Sequence, residues 1–301
     1  MAERLGVREI LNQANEDSFQ HFGKLVAPAL VAGFLSYWVS WSNSWLQQRL
    51  SYAVWHHAHG NVNAAIRGVV LPGVVLRLVM MGAEFMVWGA AFAVISAVVI
   101  SAKDGESGSL SSAFRSVVNE TGMLSLLWRL CWRLVLSGYL VMIASGASGY
   151  WFLTRLHINL LTPRGRFCSE IFSLLVFGFV YVVFVRRFTL AIPLPLATGE
   201  ASIDPFPASR TASLPWRVPI IVSCLLVLAI SNLGDLHLPS MLLGPELIRP
   251  TVTASYAIWV LVSLVTSVPW AWLFVFLTRV AIVSAPELVP VAEASPAPLI
   301  P

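Results

Sequence analysis

PTVTASYAIWVLVSLVTSVPWAWLFVFLT, residues 250–278, contains no charged side chain. A helix needs about 20 apolar residues to cross a hydrocarbon core roughly 30 Å thick. Lipid offers the backbone no hydrogen bonds, so a spanning segment must be a helix or part of a closed barrel. This stretch is long enough, and it is not alone. Charge is also missing from residues 25–48, 85–102, 134–154, 171–185 and 218–234, all rich in Leu, Val, Ile, Phe and Trp. The pattern predicts an all-α, polytopic integral membrane bundle of about six transmembrane helices with short amphipathic interfacial helices.

Composition agrees. Hydrophobic residues make up 57% of the 301 and charged residues 11%, against about 25% charged in soluble domains. Six helices and their connections fill nearly the whole chain, leaving no room for a separate soluble catalytic domain. A net charge of +4 is small for this length. It suits loops facing anionic lipid, and no basic cluster interleaved with aromatics points to nucleic acid. Residues 1–22 are polar and show no short apolar stretch ending in a cleavage site, so the first apolar run reads as an uncleaved anchor. Cys131, Cys168 and Cys224 lie in or beside apolar runs. Their odd number and spacing suggest neither a disulfide framework nor a zinc motif.

Along the chain, residues 1–22 form an amphipathic N-terminal segment. Val7, Ile10, Leu11 and Ala14 share one face, and Glu9, Asn12, Gln13 and Glu16 the other. Such a helix either lies on lipid or stands in solvent as a lead into span 1. Residues 23–285 hold the six-helix domain. Span 1 covers about 25–45 and ends in Trp38, Trp41 and Trp45, as an interfacial aromatic belt does. A polar loop with WHHAHGN (55–61) follows. Pro72 and Gly73 are expected to break the long stretch 68–102 into a surface segment and span 2, about 78–101. Leu110, Phe114 and Val118 form an apolar stripe leading to span 3, about 126–150. There Ala144 with Ser148 and Ser145 with Gly149 give small residues four apart, a spacing that lets helices approach closely. Span 4 is about 168–185, span 5 about 218–233 and span 6 about 255–278. Between spans 4 and 5, five prolines in 192–215 argue against a long regular helix. The Pro/Ala-rich tail 286–301 reads as disordered.

Orientation follows the basic residues. With the N-terminus inside, eleven fall on the cytoplasmic side and six outside. Arg77 and Arg133 stay within the membrane, which accounts for all 19. The bias places both termini in the cytoplasm of a prokaryotic cell.

Glu84, near the middle of span 2, is the most unusual residue. An isolated ionised carboxylate at that depth is costly and calls for a partner or a protonated state. Arg133, entering from the cytoplasmic end of span 3, is the favoured partner. Arg77, two turns earlier on nearly the same face, is the other. The pair reads as a structural ion pair fixing helix register, or as a proton or substrate site. The structural reading is preferred because transporters usually carry several such residues, broken helices or an inverted repeat. His56, His57, His59, His157 and His237 all fall in outer loops, but their spacing matches no ligand motif, so they read as solvated and no metal is expected. No GxSxG, HExxH, P-loop or GxGxxG pattern occurs. Ser137, Ser145 and Ser148 share span 3 without a histidine to activate them, and are expected to bond the preceding turn. No catalytic residue and no cofactor is expected.

Three stretches carry a family resemblance: GVREILNQANEDSFQHFGKLVAPAL (6–30), SLSSAFRSVVNETGMLSLL (109–127) and FVRRFTLAIPLPLATGEASIDPF (184–206), which contains Glu200. In these the chain resembles a broad bacterial and archaeal family of six-span proteins. That family includes the membrane domain attached to some glycerophosphoryl diester phosphodiesterases and its stand-alone relatives. The resemblance implies a fold and a membrane location without enzyme activity. The chain departs from it at DPFPASRTASLP (204–215), where prolines are expected to break the amphipathic helix that relatives carry. The reading is a non-enzymatic scaffold or accessory subunit of the inner membrane, partnered by membrane lipids and by another membrane protein or a second copy. The alternative is a small transporter or channel built around Glu84 and an arginine.

Overall fold

Trp88, Phe92 and Ser96 recur every four residues, and so do Trp270, Phe274 and Thr278. Each trio therefore lies along one side of a helix. In the computed structural model of the protein the two trios meet. The structure describes residues 6–57, 62–103, 105, 109–120, 122–155, 186–199, 204–243 and 252–287. The elements are α1 (Val7–Gln20), α2 (Phe22–His57), α3 (Val62–Lys103), α4 (Leu110–Arg115) with a π-helical turn (Ser116–Glu120), α5 (Met123–Arg155), α6 (Pro193–Thr198), α7 (Pro205–Ser213), α8 (Arg217–Leu243) and α9 (Val252–Ser284), closed by a 3-10 turn (Ala285–Glu287). Among the described residues there is no strand.

Among these residues three helical stretches are long and apolar enough to cross a membrane: Phe22–Val54, Pro72–Lys103 and Val265–Ser284. A fourth arises if Pro205–Ser213 and Arg217–Ser231, bent by 98° at their junction, form one broken span. The stretch assigned to span 4 lies outside the described residues, as does the tail from residue 288.

The centre is the seam between α3 and α9. Phe92 stacks on Phe274 with ring centroids 4.4 Å apart and an interplanar angle of 14°. One turn before it, Trp88 meets Trp270 at 5.6 Å. One turn after it, the hydroxyls of Ser96 and Thr278 lie 2.9 Å apart. Thr278 spends its only proton on the Phe274 carbonyl at 2.7 Å, so Ser96 must be the donor between them. The offset between partners stays constant from pair to pair, so α3 and α9 run parallel. Ridges of residues four apart on both helices are what interdigitating packing uses.

Other elements attach to this pair. α2 crosses α9 where a Cβ on Gly33 would come within 2.7 Å of Ser267 Oγ. Leu25 and Val26 lie beside Ala271 and Trp272, so α2 runs antiparallel to α9. α5 seats on two glycines of α3: Leu127 Cδ2 lies 2.7 Å from where Gly89 would carry a Cβ, and Cys131 Sγ donates to the Gly82 carbonyl at 3.6 Å. That order makes α5 antiparallel to α3.

Several expectations change. Pro72 lies inside α3 and does not divide it. A proline removes one intrahelical hydrogen bond, which can kink a helix without ending it. His56 and His57 belong to the last turn of α2, not to a loop. α1 is neither free in solvent nor wholly given to lipid. Ile10 and Ala14 are fully buried in the main core, although Val7 and Phe19 remain exposed. α1 is held to α9 by polar contacts. Arg279 grips Asp17 with two parallel bonds of 2.5 Å, from Nε and Nη2, and Trp272 Nε1 donates to Asn15 Oδ1 at 2.8 Å. On α4 and its turn, Ala113 and Val117 are buried, while the stripe Leu110, Phe114 and Val118 faces outward.

The Asp17 and Arg279 side chains are only 11% and 15% exposed. Removing one partner of a buried pair costs about 3–5 kcal/mol because the other charge is stranded. Asp17→Asn and Arg279→Met should each lower thermal stability in detergent toward the low end of that range, given the residual exposure. The double variant should recover much of the loss. Simple additivity in the four-variant cycle would show that the pair is not coupled.

Candidate functional site

Next to the seam the helices do not close completely. α3 turns Met81, Glu84, Phe85 and Trp88 toward a cavity of about 320 Å³. Leu130, Leu134 and Val135 of α5 form a second wall, Cys224 and Leu228 of α8 a third, and Trp270, Leu273 and Leu277 of α9 the fourth. The stretch 186–192, which leads into α6, crosses the cavity as a strap and contributes Phe188, Thr189 and Ile192.

The strap is built from local chemistry. Leu190 and Ala191 are fully buried. The Leu190 amide, which has no helical partner, donates to Ser209 Oγ at 3.2 Å. Thr189 turns its hydroxyl back onto the Arg186 carbonyl at 2.9 Å. Pro193 opens α6, and Gly199, at φ +66°, closes it in the left-handed conformation that glycine accepts without strain. Asp204 caps α7 by accepting from the Phe206 amide at 3.2 Å. Here the sequence expectation is corrected: DPFPASRTAS forms a capped helix. Pro205 and Pro207 fall in its first turn, where backbone N–H groups have no intrahelical partner, so losing them costs nothing.

The expected ion pair is not formed. Glu84 lines the cavity, half-buried, and makes no hydrogen bond or ion pair among the described residues. Arg133 instead lays its guanidinium over the ring of Phe206, 3.9 Å from the centroid. Arg129 lies at 5.8 Å from the same ring. The cause is helical phase. Arg129 and Arg133 share one face of α5, which meets α7, whereas Leu130 and Leu134 share the face that meets Glu84. Arg77 is exposed on α3, about 10 Å along the helix axis from Glu84 at 1.5 Å per residue.

Among the described residues no three His, Cys, Asp or Glu side chains gather as a metal site. His59 and His157 lie outside them; His237 falls in α8, but its side chain is not described. Ser137 donates to the Arg133 carbonyl at 2.6 Å, a bond to the preceding turn. The side chains of Ser145 and Ser148, and the small-residue stripe they belong to, lie outside the described set.

The cavity was not expected from the sequence. Its traces there are the spacing of Gly82 and Gly89, which share a face two turns apart, and the two aromatic trios. What it can do is hold an apolar molecule against aromatic rings and present one carboxyl group to it. Compared with known proteins, the chain matches no family model, no curated protein and no solved structure.

Two double-mutant cycles separate the alternatives for Arg133. Arg133→Met and Phe206→Leu should be coupled, since a desolvated cation–ring contact is worth about 0.5–2 kcal/mol. Glu84→Gln and Arg133→Met should add to within about 0.5 kcal/mol, as groups without contact do. Coupling in the second cycle and none in the first would restore the ion pair.

Proposed function

We propose that the protein is a six-span protein of a prokaryotic inner membrane, with both termini cytoplasmic, and acts as a non-enzymatic accessory subunit or scaffold. It works by holding a lipid-like molecule beside the α3–α9 seam. The observation that carries this reading is the cavity wall, whose described residues are aromatic and aliphatic apart from Glu84, Thr189 and Cys224. Ligand sites are mostly apolar, with a few placed polar groups that fix orientation. Other features support the layout. Spans two and six of a six-span bundle must run parallel, as α3 and α9 do. The Asp17–Arg279 pair joins the beginning of the chain to the end of α9, as an even number of spans requires. Phe34, Trp38, Trp41 and Trp45 stand exposed along α2 and offer a face to acyl chains, another membrane protein or a second copy. On this reading the chain belongs with the six-span membrane domains that its sequence resembles.

Transport is the second reading, and one observation favours it. Glu84 has no partner among the described residues, and an unpaired carboxylate in a membrane helix is where a proton or ion would be carried.

Native mass spectrometry of protein purified in mild detergent should show about one bound lipid-like molecule per chain. Filling the cavity with Val135→Phe and Leu228→Phe should remove it while the helical signal and melting transition persist. Wild-type protein that carries none, or a filled variant that retains it, would sink the proposal. A proton-coupled flux in proteoliposomes, abolished by Glu84→Gln, would replace it with transport.

A further inference from the structure

We infer that the molecule held beside the α3–α9 seam carries a cationic nitrogen: a lipophilic ammonium whose charge lies against Glu84 and whose apolar part lies among Trp88, Phe92, Trp270 and Phe274. The inference rests on the cavity being an amphiphile site and adds the sign of the ligand's charge.

Three observations carry it. First, Glu84 is the one carboxylate among the described residues of the wall. A charged group at this depth is costly unless paired, and no described residue pairs with it. Thr189, also in the wall, spends its hydroxyl proton on Arg186 and has none left for Glu84. The counter-charge of an ionised Glu84 therefore comes from outside the described residues. Second, no Lys, Arg or His is among the described residues of the lining. The nearby arginines turn onto Phe206. A phosphate or carboxylate head group would meet no cation here and would face Glu84 as a like charge. Third, the walls are π-rich. Trp88 lies 5.6 Å from Trp270 and 6.3 Å from Phe274, ring centroid to ring centroid. Aromatic faces attract cations and repel anions, and ammonium groups are commonly held in this way. At about 320 Å³ the cavity sits at the small end of ligand sites, which run to roughly 1,000 Å³. It therefore suits a single-chain amphiphile better than a bulky head group.

The test compares three ligands of equal chain length on the full chain in phosphatidylcholine nanodiscs, with empty discs subtracted. They are radiolabelled dodecyltrimethylammonium, dodecanol and dodecanoate. The ammonium should bind about tenfold more tightly than the alcohol, the scale of one desolvated charge contact, and dodecanoate should bind most weakly. Glu84→Gln should abolish the ammonium's advantage while leaving dodecanol binding within about twofold, as expected when one charge contact is removed and the apolar contacts stay. Glu84→Asp, which keeps the charge, should retain the preference and guards against a folding artefact in the first variant. Equal binding of ammonium and alcohol, or an advantage that survives Glu84→Gln, overturns this inference and leaves the apolar site standing. No saturable binding of any of the three overturns the site as well.

Discussion

Phe92 lying flat on Phe274 sets the geometry on which the rest of the bundle depends. Two rings stacked at that distance fix the separation and register of α3 and α9 together. Trp88 with Trp270 on one side and Ser96 with Thr278 on the other repeat the contact one turn away. In lipid, helices gain little by leaving an apolar solvent, so close packing and hydrogen bonds must hold them. This seam supplies both. α2 then crosses α9 at Gly33, α5 seats on α3 at Gly82 and Gly89, and α1 is tied to α9 through Asp17 and Asn15.

The cavity is a consequence of this arrangement. α5 is drawn close to α3 where glycines allow it. Between Gly82 and Gly89 the large side chains Phe85 and Trp88 intervene, and the strap at 186–192 lines the gap without filling it. A carboxyl group in such a place is costly to ionise without a partner. Glu84 thus faces the cavity, and neither Arg77 nor Arg133 reaches it.

Much of the fold was legible because a membrane imposes a simple rule. Charge-free runs long enough to span lipid must be helices there; α2, α3, α5 and α8 each contain one of the runs read from the sequence, and α9 contains all but the first two residues of another. Faces were legible too: Arg129 and Arg133 do share a side of α5. The element that a face meets was not. Spacing cannot say whether Arg133 finds Glu84 or the ring of Phe206, because that depends on how α5 and α7 are rotated. The same limit hid the docking of α1, whose partner Arg279 lies 262 residues from Asp17. Prolines misled in two ways. Pro72 sits inside a continuous helix, while Pro205 and Pro207 start one, so the count of prolines said less than their position relative to a cap.

The central claim is that α3 and α9 run parallel in the register that pairs Ser96 with Thr278. Disulfide trapping tests it most directly, because a disulfide needs Cα atoms about 4.4–6.8 Å apart. In a background lacking Cys131, Cys168 and Cys224, Ser96→Cys with Thr278→Cys should crosslink rapidly under mild oxidation. Ser96→Cys with Trp270→Cys, displaced by two turns, should not. A crosslink in the second pair and none in the first would contradict the parallel register and the cavity that rests on it.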